Sequence, residues 1–363
     1  MKMTRKLISL ALILVCTLSL VACGQPPAAT APPTNPPTSN PANTSGAPGT
    51  PEPAPPDEPV TLKFAYGGTA TNVNGVSYQY LIDRIHEFSN GSITVEFYPA
   101  GSLLNDAEML DAIMTGNVDM GHFQIANLTP TIKELTPFEV PGAYPGNNFL
   151  EWSELIHPIV DDIFQKYGLK YYASIGQDTQ VLLGLDGNYR TPDDLIGQKI
   201  RVAGKWYADA VTAWGGAPAT IPIADLASAL DRKTVDGVYT AWVAILSYRL
   251  YENVSYVTMT NQQENFVGVM MNLDRWNSLS DNQRAAMQAA FEAYRPWNFE
   301  KLMEAKNNLY DTLEEYDVTV YELTDEENAA FNARTAPMMD EVRKICGEDG
   351  LRLIEAFESF KTP

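Results

Sequence analysis

Cysteine and histidine are scarce in this chain. Its 363 residues include three cysteines and three histidines, namely Cys16, Cys23, Cys346, His86, His122 and His157. Two of the cysteines lie at the N-terminal end, so the remainder of the chain has one cysteine and cannot form an internal disulfide. No spacing of these residues is typical of a zinc site, and we therefore predict neither a metal ion nor a cofactor.

Positive charge is also in short supply. Lysine and arginine number 25 against 45 aspartates and glutamates, which gives a formal net charge of −20. A nucleic-acid-binding protein needs a basic surface, so we expect no nucleic-acid partner. An acidic protein that binds an anion must do so through a local positive site, because its overall field repels the ligand.

Only the N-terminus contains a long apolar run. A basic segment with Lys2, Arg5 and Lys6 precedes the apolar residues 7–21, which are too few for a transmembrane helix but suit a signal peptide. The run ends in Leu-Val-Ala-Cys at 20–23, which resembles the lipobox of bacterial lipoproteins. We therefore expect residues 1–22 to be removed and Cys23 to carry lipid, anchoring the protein outside the cell membrane. The alternative is an ordinary secretory signal followed by a chance cysteine.

Residues 23–59 contain almost no large apolar side chain after the cysteine. Thirteen of the chain's 25 prolines lie in this stretch, among alanine, threonine, serine, asparagine and glycine. Such a composition cannot bury a core, so it predicts a disordered, partly extended tether.

Alternation of strand and helix patterns begins at Val60. Strands are predicted at 61–66, 92–98 and 118–125, with amphipathic helices at 78–88 and 106–114 between them. This order predicts an α/β fold with a parallel sheet. Ligands of such sheets bind beyond the carboxyl ends of the strands, which directs attention to the loops after Tyr66 and around 123–127.

The second half of the chain has shorter strands and one very long helix. A helix is predicted at 151–167, and strands at 169–175, 180–185, 200–202, 238–239 and 266–271. Ser280 to Gln283 form a capping box before a helical pattern that continues past residue 310. Pro296 should kink this helix, since a proline inside a helix removes a hydrogen bond and crowds the preceding turn.

Arg201 is the outstanding candidate for ligand binding. It lies in an apolar strand-like run between Gly197 and Gly204, where a guanidinium needs a partner. The partner is either a ligand carboxylate, which the planar fork can hold through two hydrogen bonds, or a protein carboxylate, for which the nearest candidates in sequence are Asp193, Asp194 and Asp236.

Several aromatic residues have two interpretations. Trp206, Trp242, Tyr66 and Tyr144 could line a cleft or pack in the core, because aromatic side chains bury large areas in either setting. We interpret His122 as an ordinary strand histidine. The chain has no nucleophile-elbow motif and no phosphate-binding loop, which argues against an enzyme.

Five motifs in sequence order carry a family resemblance. They are F-A-Y-G-G at 64–68, I-T-V-E-F-Y-P-A-G-S-L at 93–103, E-M-L-D-A-I-M-T-G-N-V-D-M at 108–120, D-L-I-G-Q-K-I-R-V at 194–202 and V-D-G at 235–237. Together they resemble the DctP-type extracytoplasmic solute receptors of tripartite ATP-independent periplasmic (TRAP) transporters. The resemblance covers roughly residues 60–360.

The resemblance implies two α/β lobes of the periplasmic-binding-protein type, with a ligand cleft between them and a long kinked helix spanning both. It places residues 60–179 and 266–310 in one lobe and 180–265 and 311–363 in the other. Arg201 matches the arginine that pairs with the solute's carboxylate, and further positions in the cleft fall on Phe123, Gln124, Asn127 and Thr240. A second arginine of many members, in a G-x-R segment, has no counterpart here, where the chain reads Gly-Gln-Asp-Thr-Gln at 176–180.

The expected function is capture of a small organic anion by a tethered monomer and its delivery to the membrane permease subunits. Two alternatives remain open at this point. One is an exported enzyme that acts on an acidic small molecule, and the other is a ligand-binding sensor subunit of a membrane signalling system.

Overall fold

A computed structural model describes residues 57–143, 148–176 and 178–361. The predicted signal segment, Cys23, most of the tether and Tyr144 lie outside the described residues. None of the helices in the described ranges is both long enough and apolar enough to span a bilayer.

Eleven strands in these ranges form two sheets. The strands are β1 (Val60–Ala65), β2 (Ile93–Tyr98), β3 (Met120–Gln124), β4 (Leu169–Ile175), β5 (Thr179–Gly184), β6 (Lys199–Val202), β7 (Ala217–Thr220), β8 (Gly237–Ala241), β9 (Tyr256–Glu264), β10 (Val267–Asn272) and β11 (Thr319–Glu322).

The α-helices of the described residues cover the faces of these sheets. They are α1 (Val73–Phe88), α2 (Met109–Met114), α3 (Ile125–Leu128), α4 (Phe149–Lys166), α5 (Lys205–Ala213), α6 (Leu226–Asp231), α7 (Trp242–Ser247), α8 (Leu273–Asn277), α9 (Asp281–Glu315), α10 (Asp325–Ile345) and α11 (Gly347–Lys361). Short 3₁₀ helices occur at Lys133–Glu139, Pro192–Leu195, Ile223–Asp225 and Leu250–Glu252.

The first sheet has the order β2-β1-β3-β10-β4. Its β1 is parallel to β2 and β3, as the strand–helix alternation predicts, because each helical crossover returns the chain in the same direction. The strand β10 pairs antiparallel with both β3 and β4. The sheet is therefore mixed rather than parallel throughout, since β10 enters it directly from the second sheet without a helical crossover.

The second sheet has the order β11-β9-β5-β8-β6-β7. The chain passes from the first sheet to the second between β4 and β5, and it returns between β9 and β10. All six residues of β5 are buried, as expected of a central strand covered on both faces. The two crossings lie side by side, because the backbone N–H of Asn265 donates to the carbonyl of Asp178 at 3.0 Å.

The 35-residue helix α9 contacts elements on both sides of these crossings. Its capping box is formed, with Ser280 and Gln283 exchanging two hydrogen bonds of 3.0 Å. Trp297 stacks on Tyr80 of α1 at 4.0 Å, whereas Tyr310, further along the helix, donates to Glu322 of β11 at 2.5 Å. Pro296 lies inside the helix, before the part that packs on the second sheet.

The C-terminal helix differs from the expected lobe assignment. The family resemblance places residues 311–363 in the second lobe, and β11 does join the second sheet. The last helix, α11, packs instead on α4 and the 3₁₀ helix before it. Phe357 lies 5.2 Å from the ring of Phe138 and 5.4 Å from that of Trp152. The apolar face of α11 thus completes the core beside the first sheet.

Candidate functional site

A cavity of about 420 Å³ opens between the two sheets, at the crossings. The loop after β1 and the end of β3 form one wall, and β6, α5, β8 and α7 form the other. Residues of both crossing segments lie at its base, among them Asp178, Gln180 and Asn265. The cavity therefore occupies the position at strand ends where α/β proteins bind ligands.

Arg201 lies on the wall formed by the second sheet. The apolar strand β6 holds it in place, and only 2% of the residue is exposed. Its Nε donates to the carbonyl of Ile221 at 2.8 Å, and no carboxylate of the described residues lies within 4.0 Å of the guanidinium. Burial lowers the pKa of Arg201 to about 10, so the guanidinium stays charged at neutral pH.

The three aspartates that could have neutralised Arg201 have other partners. Asp193 pairs with Arg334 at 2.9 Å, and Asp194 accepts from the backbone N–H of Thr191 at 2.7 Å. Asp236 accepts from the backbone N–H of Lys199 at 2.7 Å. Arg201 therefore does not form a structural ion pair with any of these three aspartates.

Two tyrosines accompany Arg201 at the cavity wall. Tyr207 of α5 is buried, and its hydroxyl has no hydrogen-bond partner among the described residues. Tyr248, which follows α7, is partly exposed. Both phenols act on the guanidinium in the direction that raises its pKa, against the larger effect of burial. The second-sheet wall thus offers a cation and an unpartnered hydroxyl donor.

Two aromatic residues of the first-sheet wall, Tyr66 and His122, have hydrogen-bond partners within the protein. Tyr66 follows β1 and donates to Oδ1 of Asn72 at 3.0 Å, an atom that also caps α1 by accepting from the N–H of Gly75. Its ring meets that of His122 edge-on at 5.2 Å. A Cβ on Gly68 would lie 2.4 Å from the Tyr66 hydroxyl, so this close approach requires glycine.

His122 is held by a buried tyrosine. Its Nδ1 lies 2.5 Å from the hydroxyl of Tyr78, and burial lowers the pKa of the imidazole. The ring is therefore neutral at physiological pH, and the Tyr78 hydroxyl can donate to Nδ1. In that tautomer the proton resides on Nε2, which gives His122 a hydrogen-bond donor on its other edge.

A polar network joins the two crossings at the base of the cavity. Oδ1 of Asp178 accepts from the backbone N–H of Val243 at 3.1 Å, and Oδ2 accepts from Nδ2 of Asn265 at 2.9 Å. Oδ1 of Asn265 accepts in turn from Nε2 of Gln124 at 2.9 Å. Burial raises the pKa of Asp178 to about 6.

The structure brings four of the predicted residues to the cavity wall, which are Arg201, Gln124, Tyr66 and Thr240. Phe123 faces the other side of β3 and packs against Phe164 at 5.5 Å. Side chains alternate along a strand, so His122 and Gln124 share the cavity face and Phe123 cannot. The prediction for Phe123 was therefore wrong by one residue.

Three further predicted residues are not at this cavity. Asn127 is exposed on the short helix α3. Trp206 is partly buried on α5 with the Lys205 ammonium 4.6 Å from its ring, and Trp242 is fully buried and lines a separate cavity of about 350 Å³ beside α9. Tyr144 lies outside the described residues.

The polar wall residues that were not predicted from the sequence include Asp106, His122, Asp178, Tyr207, Tyr248 and Asn265. A signal existed for His122, because it shares a strand face with Gln124. No local pattern identifies the others, since their positions depend on how the two crossings pack together.

Comparison with known proteins agrees with this architecture. A family model described as bacterial extracellular solute-binding protein, family 7 (DctP) matches residues 64–345. A C4-dicarboxylate-binding protein of Bacillus subtilis is 25% identical over 304 residues, which are 81% of this chain and 85% of that protein. An ectoine- and 5-hydroxyectoine-binding periplasmic protein of Ruegeria pomeroyi is 22% identical over 309 residues, covering 82% and 90% of the two chains.

The fold is likewise that of a solved receptor. A TRAP periplasmic solute-binding protein from Ochrobactrum anthropi has a TM-score of 0.77 at 22% identity, with 84% of this chain and 96% of that chain covered. The match confirms the two-lobed α/β fold with a cleft and the long helix α9. On the extent of the family match, this chain belongs to family 7 of the bacterial extracellular solute-binding proteins, the DctP-type solute receptors of TRAP transporters.

Proposed function

We propose that this receptor captures a small organic carboxylate in the cavity between the sheets and delivers it to TRAP membrane permease subunits. The observation that carries the proposal is Arg201, a buried guanidinium on the cavity wall without a carboxylate partner among the described residues. A buried charge without a counter-ion is costly. A ligand carboxylate supplies that counter-ion.

The chemistry of the wall favours a carboxylate over other acceptors. With Nε engaged by Ile221, the two terminal nitrogens of Arg201 can donate to the two oxygens of one carboxylate. The unpartnered hydroxyl of Tyr207 adds a third donor. Each charge-assisted hydrogen bond contributes about 1.5–3 kcal/mol net. Gln124, Thr240 and Tyr66 complete the proposed ligand contacts.

Relatives indicate the range of ligands but not the solute. One is named for C4-dicarboxylates and another for ectoine and 5-hydroxyectoine. Family members are solute receptors rather than enzymes, and we propose the same for this chain, acting as a monomer. The local cation at Arg201 supports an acidic ligand despite the net charge of −20. Salt weakens the attraction between two charges much less in a buried site than at the surface.

Membrane attachment is the second part of the proposal. The lipobox-like sequence at 20–23 supports lipidation of Cys23, and the proline-rich residues 24–59 would hold the receptor away from the bilayer. The variant Cys23→Ser should remove the acceptor thiol and move the protein from the membrane fraction to the soluble fraction. Retention of this variant on membranes after a high-salt wash would show that the cysteine is not the anchor.

A thermal-shift panel tests the carboxylate proposal. Small carboxylic acids are compared with their primary amides, which keep the shape and lose the charge. A ligand that binds only the folded state raises the melting temperature, so we expect shifts with acids and none with the matched amides. Amides that stabilise the protein as well as the acids do would contradict the proposal.

A further inference from the structure

Three charged side chains of the described residues line the cavity, and their charges do not balance. Arg201 contributes one positive charge, and Asp106 and Asp178 contribute two negative charges. Within the described residues, none of the three forms an ion pair with another side chain. A monocarboxylate would neutralise Arg201 and leave both aspartates uncompensated. A dicarboxylate would add a further negative charge beside them.

Asp178 is the more deeply buried of the two aspartates. It lies between β4 and β5 with 3% of its surface exposed. Both of its oxygens accept an N–H, one from Val243 and one from Asn265, which is the pattern of an ionised carboxylate. A carboxylate has about four lone-pair sites, so these two bonds leave acceptor capacity unused. Because its pKa is about 6, it is charged at neutral pH.

Among the described residues, no cationic side chain forms an ion pair with Asp178. Its own backbone N–H donates to the buried carboxylate of Glu264 at 2.8 Å. The donors to its carboxylate are the uncharged amides of Val243 and Asn265. Burial raises the pKa of the Tyr207 phenol, and the Asp178 carboxylate adds to that effect. Asp106 differs, because it is only partly buried and water screens it, and its Oδ1 accepts from the N–H of Gly67 at 3.1 Å.

We propose that the ligand is zwitterionic, with a single carboxylate on Arg201 and a cationic nitrogen that faces Asp178. This inference rests on the proposed function, since it assumes that Arg201 holds the carboxylate. The zwitterion compensates both buried charges at once, which neither a simple acid nor a diacid can do. Asp178 is then a specificity-determining residue that selects amino-substituted acids against their uncharged or dianionic analogues.

The test uses matched compounds on common carbon skeletons. Proline is compared with cyclopentanecarboxylate, leucine with isocaproate, and aminovalerate with valerate and glutarate, by calorimetry on the purified protein at neutral pH. In at least one set the amino compound should bind about tenfold or more tightly than its partners, as expected for opposite charges in a weakly solvated site.

Three variants locate the origin of this preference. Asp178→Asn can keep the network, because the amides of Asn265 and Gln124 can both flip, and it should bring the affinity ratio close to one. Asp186→Asn removes an equal charge from an exposed aspartate near Lys233 and should leave the ratio unchanged. Asp106→Asn should reduce the ratio less than Asp178→Asn does. Melting curves establish that each variant is folded.

The outcomes separate the two proposals. Three results would overturn the zwitterion inference. The first is that no amino compound binds, and the second is that the simple acids or glutarate bind at least as tightly as the amino compound in every set. The third is that Asp178→Asn keeps the preference for the amino compound. In each of those cases the carboxylate proposal stands as long as acids still bind and amides do not. Binding that needs no carboxylate would overturn both.

Discussion

The two walls of the cavity use their polar groups differently. On the first-sheet wall, Tyr66 bonds to Asn72 and His122 bonds to Tyr78, so each hydroxyl has a partner within the protein. On the second-sheet wall, Arg201 has one carbonyl partner and the Tyr207 hydroxyl has none among the described residues. The hydroxyls of the first-sheet wall are paired without a ligand, and Nε2 of His122 is left there as a donor. The second-sheet wall carries a cation and a buried hydroxyl, which lack anionic or acceptor partners among the described residues.

This difference suggests a division of roles between the walls. Hydrogen bonds that close within the protein stabilise the fold and fix the shape of the cavity. Donors left unpaired in a buried position cost stability, and a ligand that supplies acceptors recovers that cost as binding free energy. Changes on the first wall should therefore act mainly on folding, and changes on the second wall mainly on affinity.

The largest effect on stability should come from Asp178, at the base between the walls. Burial raises its pKa from 3.8 to about 6, so the folded state pays to keep this group ionised at neutral pH. With about 1.4 kcal/mol for each pKa unit, Asp178→Asn should raise the free energy of unfolding by about 2–3 kcal/mol at neutral pH. Urea unfolding of the two proteins measures the difference.

The stability difference between Asp178→Asn and the parent protein should depend on pH. A carboxyl with a raised pKa in the folded state contributes stability below pH 3.8 and loses it as the pH rises through about 6. The advantage of Asp178→Asn should therefore vanish toward pH 4. Glu139 and His157, whose pKa values burial moves to about 7 and about 4, are present in both proteins and largely cancel. A difference independent of pH would rule out the charge as its cause.

A smaller loss of stability is expected on the first wall. Tyr78→Phe removes the hydroxyl that lies 2.5 Å from Nδ1 of His122, which leaves a buried nitrogen without a partner. We expect the free energy of unfolding to fall by about 1–3 kcal/mol and ligand affinity to change little. Chemical unfolding and calorimetry on the same samples measure the two effects. Unchanged stability with a clear loss of affinity would show that this wall contributes mainly to binding.

The smallest stability effect is expected at Tyr207, on the second wall. Tyr207→Phe removes a buried hydroxyl that has no partner among the described residues, so the free energy of unfolding should not fall and should rise by at most about 1 kcal/mol. Affinity for the carboxylate should fall several-fold, because the ligand loses a donor. If Tyr207→Phe were as destabilising as Tyr78→Phe, the two walls would not differ as described.

The elements that depend on short sequence patterns were predictable from the sequence. The first three strands and their parallel pairing follow from the alternation of strand and helix, and the start of α9 follows from the capping box at Ser280. The position of β10 between β3 and β4 was not predictable in this way. Strand pairing across more than 100 residues depends on the whole chain, as does the docking of α11 on α4.

The candidate site was predictable to a similar extent. Arg201 was predictable because a charge in an apolar strand needs a partner. Gln124 and Thr240 were predicted from the family resemblance. Phe123 was misplaced because a shift of one residue exchanges the two faces of a strand. The sequence indicated only that the segment containing Asp178 lacks the second arginine of many family members. The burial of Asp178 was not predictable, because it arises where the two crossings pack together.

The most direct test of the account is the affinity of Arg201 variants for the tightest carboxylate in the panel. Calorimetry should show a loss of about a hundredfold or more for Arg201→Ala, and a partial loss for Arg201→Lys, whose ammonium cannot reproduce the two-pronged contact. Arg190→Ala, which removes an exposed guanidinium paired with Glu327, serves as the control and should bind normally. An Arg201→Ala protein that is folded and binds the acid with unchanged affinity would contradict the central claim.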